Sequence, residues 1–337
     1  PRVRRQRQMC IRDRVCTMNN ITNAQNPFYG QYHTPHEAVP FDRIETEHYE
    51  PAILEGIKLQ NAEIEAIIQN PEKADFTNTI EAFEESGKLL DKVVAVFGNM
   101  LSAETNDDLQ ELAQKIMPLL SEHSNNITLN EKLFARMKEV YNQKETLQLT
   151  QEQKQLLENA YNSFIRHGAN LEGEAREEYR RLTTELSKLT LTFSENNLKE
   201  TNAYQMLLTK KESLAGLPEI IIEAAAETAK NEEKEGWAFT LHAPSYIPFM
   251  TYSDNRDLRQ KLYMAYNTKC THDNEFNNID IVKKIANTRM KIAQLLGYKD
   301  YAEYTLKKRM AENSKSVYKL LNQLLEAYTP TAQQEYK

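Results

Sequence analysis

The chain has 337 residues, 40% hydrophobic and 27% charged, and its 42 basic and 49 acidic side chains give a formal net charge of −7. Its 9 glycines are under half of the roughly 7% usual in globular proteins, and with only 11 prolines this argues against a β-sandwich, a barrel or a Gly-looped nucleotide-binding fold. No stretch approaches the ~18 apolar residues a membrane span needs, no apolar signal-peptide core is visible, and 3 cysteines make no disulfide framework.

Residues 1–16, PRVRRQRQMCIRDRVC, hold six Arg against one Asp, a balance of +5. The rest of the chain then carries 36 basic and 48 acidic residues, a balance of −12. Read as a basic arm, the tail would bind nucleic acid or acidic lipid. It lacks helical or strand periodicity, however, and the abrupt change in composition marks residues 1–17 as non-native sequence, with Met18 as a natural start. A body this acidic is a poor ligand for phosphate backbones. Neither a nucleic acid nor a membrane is expected as a partner.

From Asn26 to Pro51 the chain reads NPFYGQYHTPHEAVPFDRIETEHYEP, whose four prolines predict an extended, docked segment rather than regular structure. Helical patterns follow. In AILEGIKLQNAEIEAIIQN the residues Ile53, Ile57, Ile64, Ile67 and Ile68 fall near one stripe, and Asn70-Pro71 ends it. The next pattern opens at FTNTIEAFE, where Thr77 or Asn78 is placed as N-cap and Glu81 closes a capping box. Helices are further predicted over 106–121, 130–142, 150–168 and 172–198. Around 203–241 the period shortens: AYQMLLT and GWAFTL alternate as short strands do, with Trp237, Phe239 and Leu241 on one side. Between them PEIIIEAAAETAKNE reads as a helix with Pro218 in its first turn. Helices resume with DIVKKIANTRMKIAQLLGYKD, where Ile281, Ile285, Thr288, Ile292 and Leu295 share a face and Gly297 is placed as C-cap. The expected class is mainly α, with a small embedded β element near 203–241.

Complete catalytic constellations are absent. The seven histidines, His33, His36, His48, His123, His167, His242 and His272, include no i, i+4 pair, so one helical face cannot offer two ring nitrogens to a metal. His33, His36, Glu37 and His48 crowd one short region, but Pro35 forbids a regular helix there; packing and hydrogen bonding account for them better than a metal does. Cys270 with His272 two residues on is the one nucleophile candidate, and residues so spaced on a helix do not face each other. There is no GxSxG, P-loop or GxGxxG. The 17 tyrosines are more suggestive. Tyr246, Tyr252, Tyr263 and Tyr266 cluster in SYIPFMTYSDNRDLRQKLYMAYN and could line a peptide cleft, although helix packing is the better explanation of any single one. Asn255 and Arg256 follow Ser-Asp at a helix start, where a capping role competes.

Several segments in register resemble one family: NPF with TPHEAVPFDRIETEHYEPAILEGI, FTNTIEAFE, RRLTTELSKLTLTFSENNLKETNAYQMLLTKKESLAGLP, WAFTLHAPSYIPFMTYSDNRDLRQKLYMAYNTK and LLGYKDYAEYTLKKRMA. From about residue 26 to its end the chain resembles the N-terminal portion of M3-family zinc metallopeptidases. The peptidyl-dipeptidase branch is the nearer one, with the oligopeptidase branch as sibling. The resemblance implies a two-lobed, clam-shaped, mostly helical enzyme with a deep channel that releases C-terminal dipeptides from short unfolded peptides. It also implies one Zn2+ held by the two His of an HExxH motif and a downstream Glu, the motif's own Glu activating the zinc-bound water.

HExxH is missing here, so no catalytic or metal residue carries over. Residues 18–337 are expected to be the helical N-terminal region, truncated before the zinc-binding segment, binding no zinc and inactive alone. The wall of the substrate channel is assigned Tyr246, Asn255 and Arg256. The full-length enzyme is expected to be a monomer in the cytoplasm, or in the periplasm if a leader has been lost. The alternatives are oligopeptidase-like endo-cleavage of short peptides, or a non-catalytic helical interaction protein.

Overall fold

The computed structural model describes residues 26–337. The basic tail with its boundary at residue 17, Met18, Cys10 and Cys16 lie outside the described residues. The described chain is mainly α with one small two-stranded sheet, and it divides into two compact units, residues up to Thr184 with Ile292–Lys337, and Glu185–Lys291.

The first unit opens on the proline-rich segment, which makes three single 3-10 turns, Pro27–Tyr29, Pro35–Glu37 and Phe41–Arg43. It is docked through its side chains. Asn26 accepts from the Phe28 N–H (3.0 Å) and donates to the carbonyl of His48 (2.8 Å). Phe28 is buried in a ring chain with Tyr49 and Phe97. The Lys92 ammonium donates to the carbonyls of Gly30 (2.7 Å) and Phe28 (3.3 Å) and lies 3.9 Å from the centre of the Tyr32 ring.

Helix α1, Thr46–Ile68, buries Ile53, Ile64 and Ile67, and the stripe read from the sequence is its inner face. Gly56 lets α1 approach α2, Lys88–Ala103, closely, since a Cβ there would come within 2.9 Å of the Leu90 Cα. Between these helices lies a π-helical segment, Phe76–Glu81, running into a short α-turn, Ala82–Glu84. Its cap differs from the expected one. Asp75, not Thr77 or Asn78, is the N-cap: its carboxylate accepts from the Asn78 N–H (2.7 Å), while the Asn78 side chain accepts from the Asp75 N–H (3.1 Å). The reciprocal box thus starts earlier than its Ser/Thr…Glu form suggests, because Asp and Asn supply the same acceptors. Glu81 instead accepts from Gln153.

Helices α3, Asp107–Thr128, α4, Glu131–Asn142, and α5, Gln151–Arg166, follow near their predicted places. Ile64, Ile67, Phe76, Ile80, Leu133, Met137, Val140, Leu157 and Phe164 form one core cluster. Each such fully buried side chain stabilises the fold by roughly 1.5–3 kcal/mol over its exposed form. Helix α6, Gly173–Ala203, begins in this unit and continues into the second.

In the second unit, β1, Gln205–Leu208, leads to α7, Glu219–Asn231, then β2, Trp237–Thr240, then α8, Ala243–Tyr252, and α9, Arg256–Asn267. The strands pair antiparallel, with Gln205 opposite Thr240 and Leu208 opposite Trp237. Met206, Leu208, Phe239, Leu241, Phe249 and Leu262 form its core. Helix α10, Ile279–Leu295, returns the chain to the first unit, and Gly297 beyond it takes a left-handed φ of 83°, the expected C-cap conformation. Helices α11, Tyr301–Leu306, and α12, Ser314–Tyr336, complete the described chain.

Candidate functional site

The tyrosine-rich segment lies wholly in the second unit, on α8 and α9. Strand β2 runs almost directly into α8, and the turn is closed by Ser245, whose hydroxyl accepts from the Thr240 N–H (3.0 Å). Pro244 sits in the first turn, where a missing N–H costs nothing. One side of α8 is anchored by Phe249, fully buried with its ring edge-on to Phe239 at 4.6 Å.

Tyr246 lies beside that anchor, half-buried, its ring stacked on Tyr266 of α9 at 4.1 Å and 18° between planes. Burial raises its phenol pKa above the ordinary value. The Lys269 ammonium stands 4.5 Å from the Tyr266 ring centre. Tyr252 and Tyr263 are about half exposed, at 52% and 50%. Of the four clustered tyrosines, one pair is therefore a packing contact between helices and the other two face outward. Sequence reasoning could not separate them, because all four share a residue type and a helical spacing.

The connection from α8 to α9 is held tightly. Asp254 donates its N–H to the Ala215 carbonyl (2.9 Å), and Gly216, with φ at 86°, permits the close approach: a Cβ there would lie 2.3 Å from the Tyr252 carbonyl oxygen. Arg259 donates to the Ser253 carbonyl. Asn255 is the N-cap of α9, its side-chain oxygen accepting from the Leu258 N–H (3.1 Å). Its acceptor is thus already engaged in helix capping. Arg256, the first residue of α9, is exposed.

The other sequence candidates do not assemble. Glu37 accepts from the Tyr32 N–H (3.0 Å), and His48 Nδ1 accepts from the Glu45 N–H (2.9 Å) as part of the α1 cap. His33, His36 and Glu37 all take positive φ. Among the described residues no group of three or more His, Cys, Asp or Glu could hold a metal ion. Cys270 is buried, and its thiol is pushed up to about 11 by burial and by the neighbouring Glu200, the opposite of an activated nucleophile. His272 faces Glu200 instead, at 3.8 Å. No helix among the described residues is long and apolar enough to cross a membrane.

Comparison with known proteins gives these features a setting. Residues 249–337 match the model of peptidase family M3. The chain is 33% identical over 92% of its length to dipeptidyl carboxypeptidase of Escherichia coli, and 30% identical over 92% to oligopeptidase A of Salmonella typhimurium. It is also 28% identical over 88% to the probable cytosolic oligopeptidase A of Arabidopsis thaliana. These matches cover 46%, 46% and 42% of the respective relatives, so the chain spans about half the length of the curated relatives it matches.

Proposed function

The chain is related over most of its length to peptidases of family M3, and from that premise we propose that the protein it represents hydrolyses short unfolded peptides in a zinc-dependent reaction, releasing C-terminal dipeptides. The carrying observation is the similarity to dipeptidyl carboxypeptidase, which runs through 92% of the chain at 33% identity. Oligopeptidase A relatives match over a similar span at 30% identity, so internal cleavage of short peptides is the second reading.

Within this reading, residues 18–337 are the helical N-terminal region, and the zinc site lies in other residues. The side chains present do not fit a zinc site: the sequence has no HExxH, and the described residues hold no ligand cluster. No step of the hydrolysis is assigned to this chain, which alone is inactive. Exposed leucines along α12, among them Leu320, Leu321 and Leu325, support the view that further protein covers that helix; the whole enzyme is proposed to be a cytoplasmic monomer.

The contribution proposed for this chain is one wall of the peptide channel, made by Tyr246, Asn255 and Arg256. Arg256 supplies an exposed guanidinium that can meet a peptide carboxylate. Asn255 positions it by capping α9, and Tyr246 offers an aromatic surface fixed by its stack on Tyr266. The test is to express the reading frame extended through its natural end and to assay an N-blocked peptide with a free C-terminus. Chelator-sensitive release of dipeptides is expected. A natural stop shortly after Lys337, with no zinc and no cleavage, would leave a helical binding protein instead.

A further inference from the structure

The two-stranded sheet has an edge on β1 with which no other strand among the described residues pairs. Its register sets Gln205 opposite Thr240, Met206 opposite Phe239, Leu207 opposite Ala238 and Leu208 opposite Trp237. In an antiparallel pair, facing residues alternate between those that exchange both backbone hydrogen bonds and those whose N–H and C=O point away from the partner strand. The Thr240 N–H is spent on the Ser245 hydroxyl at 3.0 Å, which makes Gln205–Thr240 an outward pair. Alternation then makes Met206–Phe239 and Leu208–Trp237 the bonded pairs and turns the Leu207 N–H and C=O outward from β1.

Side-chain exposure shows which face of β1 meets water. Met206 and Leu208 are buried in the core of the unit, while Leu207 is 42% exposed and Thr209, Lys210 and Lys211 beyond it are exposed. An outward N–H and C=O in extended geometry match another extended backbone, and an apolar side chain half in water gives that backbone a surface to cover. The lysines add charge selection. The ammonium groups of Lys210 and Lys211, at the start of the 3-10 turn that follows β1, have no hydrogen-bond or ion-pair partner among the described residues and stand at one end of the edge, favouring an acidic group on whatever lies there.

We propose that β1 is a docking edge for an extended acidic peptide, which adds as a third strand alongside Gln205, Leu207 and Thr209 and places a carboxylate near Lys210 and Lys211. The proposal rests on the reading that this protein handles peptides, and it adds a binding surface separate from the α8–α9 residues assigned above.

The experiment uses the whole chain and measures binding without turnover. The probe is an acetylated, amidated heptapeptide of alternating Val and Thr with Asp at both ends, so that either strand direction brings an acid to the lysines. Hydrogen exchange is read at single-residue level. In the free chain the Leu207 amide should exchange nearly unprotected while Met206 and Leu208 are protected; saturating peptide should slow Leu207 at least about tenfold. A peptide N-methylated at alternate residues, or one with Lys replacing both Asp, should bind at least about tenfold more weakly.

Leu207→Pro removes the outward N–H without touching a β1–β2 hydrogen bond, a position where an edge strand tolerates Pro. It should abolish peptide binding while Trp237 fluorescence stays native, and Leu207→Thr, which keeps the N–H, should bind. Absence of binding at millimolar peptide, binding that leaves Leu207 exchange unchanged, or equal binding by a folded Leu207→Pro chain would each overturn the proposal. Failure of the extended protein to release dipeptides would leave it standing, so the two readings fail separately.

Discussion

Asn255 can be tested directly, because the structure gives it a capping role that competes with direct contact to a ligand. Its side-chain oxygen accepts from the Leu258 N–H at 3.1 Å at the start of α9, a helix that buries Leu262 completely. Asn255→Ala removes that acceptor and leaves an orphan donor in the first turn, at a cost of about 1 kcal/mol. This corresponds to roughly a fivefold change in the unfolding equilibrium, or a lowering of the urea midpoint by about 0.3–1 M for slopes typical of small proteins. The chain has a single tryptophan, Trp237, in the same unit, so its fluorescence during urea unfolding reports on the unit α9 belongs to. Asn255→Asp restores a capping acceptor and adds a negative charge where the helix dipole favours one; its midpoint should stay within about 0.2 M of the parent. If Ala leaves the midpoint unmoved, or Asp falls as far as Ala, the capping argument is wrong. In the extended enzyme the same pair separates the roles, since a positioning residue is rescued by Asp in both stability and peptide KM.

Two further outcomes follow from buried titratable groups. With Cys10 and Cys16 replaced by Ser, the remaining Cys270, whose thiol is raised to about 11, has at pH 8 about two orders of magnitude less thiolate than an ordinary cysteine. Its reaction with a thiol reagent should be at least that much slower than in urea, and rapid native-state labelling would contradict its burial beside Glu200. His123 is buried, with Nε2 2.7 Å from Gln60 Oε1, and burial lowers its pKa. The unfolded chain therefore binds a proton at this residue more readily than the folded one. Its contribution to stability is full above the ordinary histidine pKa near 6.5 and is lost as pH falls from there toward the lower folded value. Urea midpoints between pH 7.5 and 5 should fall less steeply for His123→Gln than for the parent, and parallel curves would refute the assignment.

What the sequence made legible, and what it hid, divides along a physical line. Helix positions in the first unit were readable because their apolar residues recur at helical spacing against one core, as Ile53, Ile64 and Ile67 do in α1. Strand β1 was readable because the burial of Met206 and Leu208 on either side of exposed Leu207 follows the two-residue period, whereas in β2 the adjacent Ala238 and Phe239 are both buried. The cap of the π-helical segment was misplaced because Asp75 and Asn78 satisfy the same donors as the Ser/Thr…Glu pattern. The candidate site was harder still. Its residue types were visible, but whether a tyrosine packs or points outward depends on which neighbour lies across from it, and Tyr246 meets Tyr266 only once α8 and α9 are folded together.

The open edge of β1 shows the same limit more sharply. Nothing in QMLLTKK distinguishes an exposed strand from a paired one; the distinction comes from where a single N–H, that of Thr240, is spent. The hydrogen bond that this N–H donates to the Ser245 hydroxyl in α8, away from β1, decides which groups of β1 turn outward. That is tertiary information, and composition and period do not contain it. If the exchange experiment finds Leu207 already protected in the free chain, the alternation argument fails at its first step, before any peptide is added. If Leu207 is unprotected between protected neighbours, the edge is open, and what remains to measure is how strongly an acidic peptide closes it.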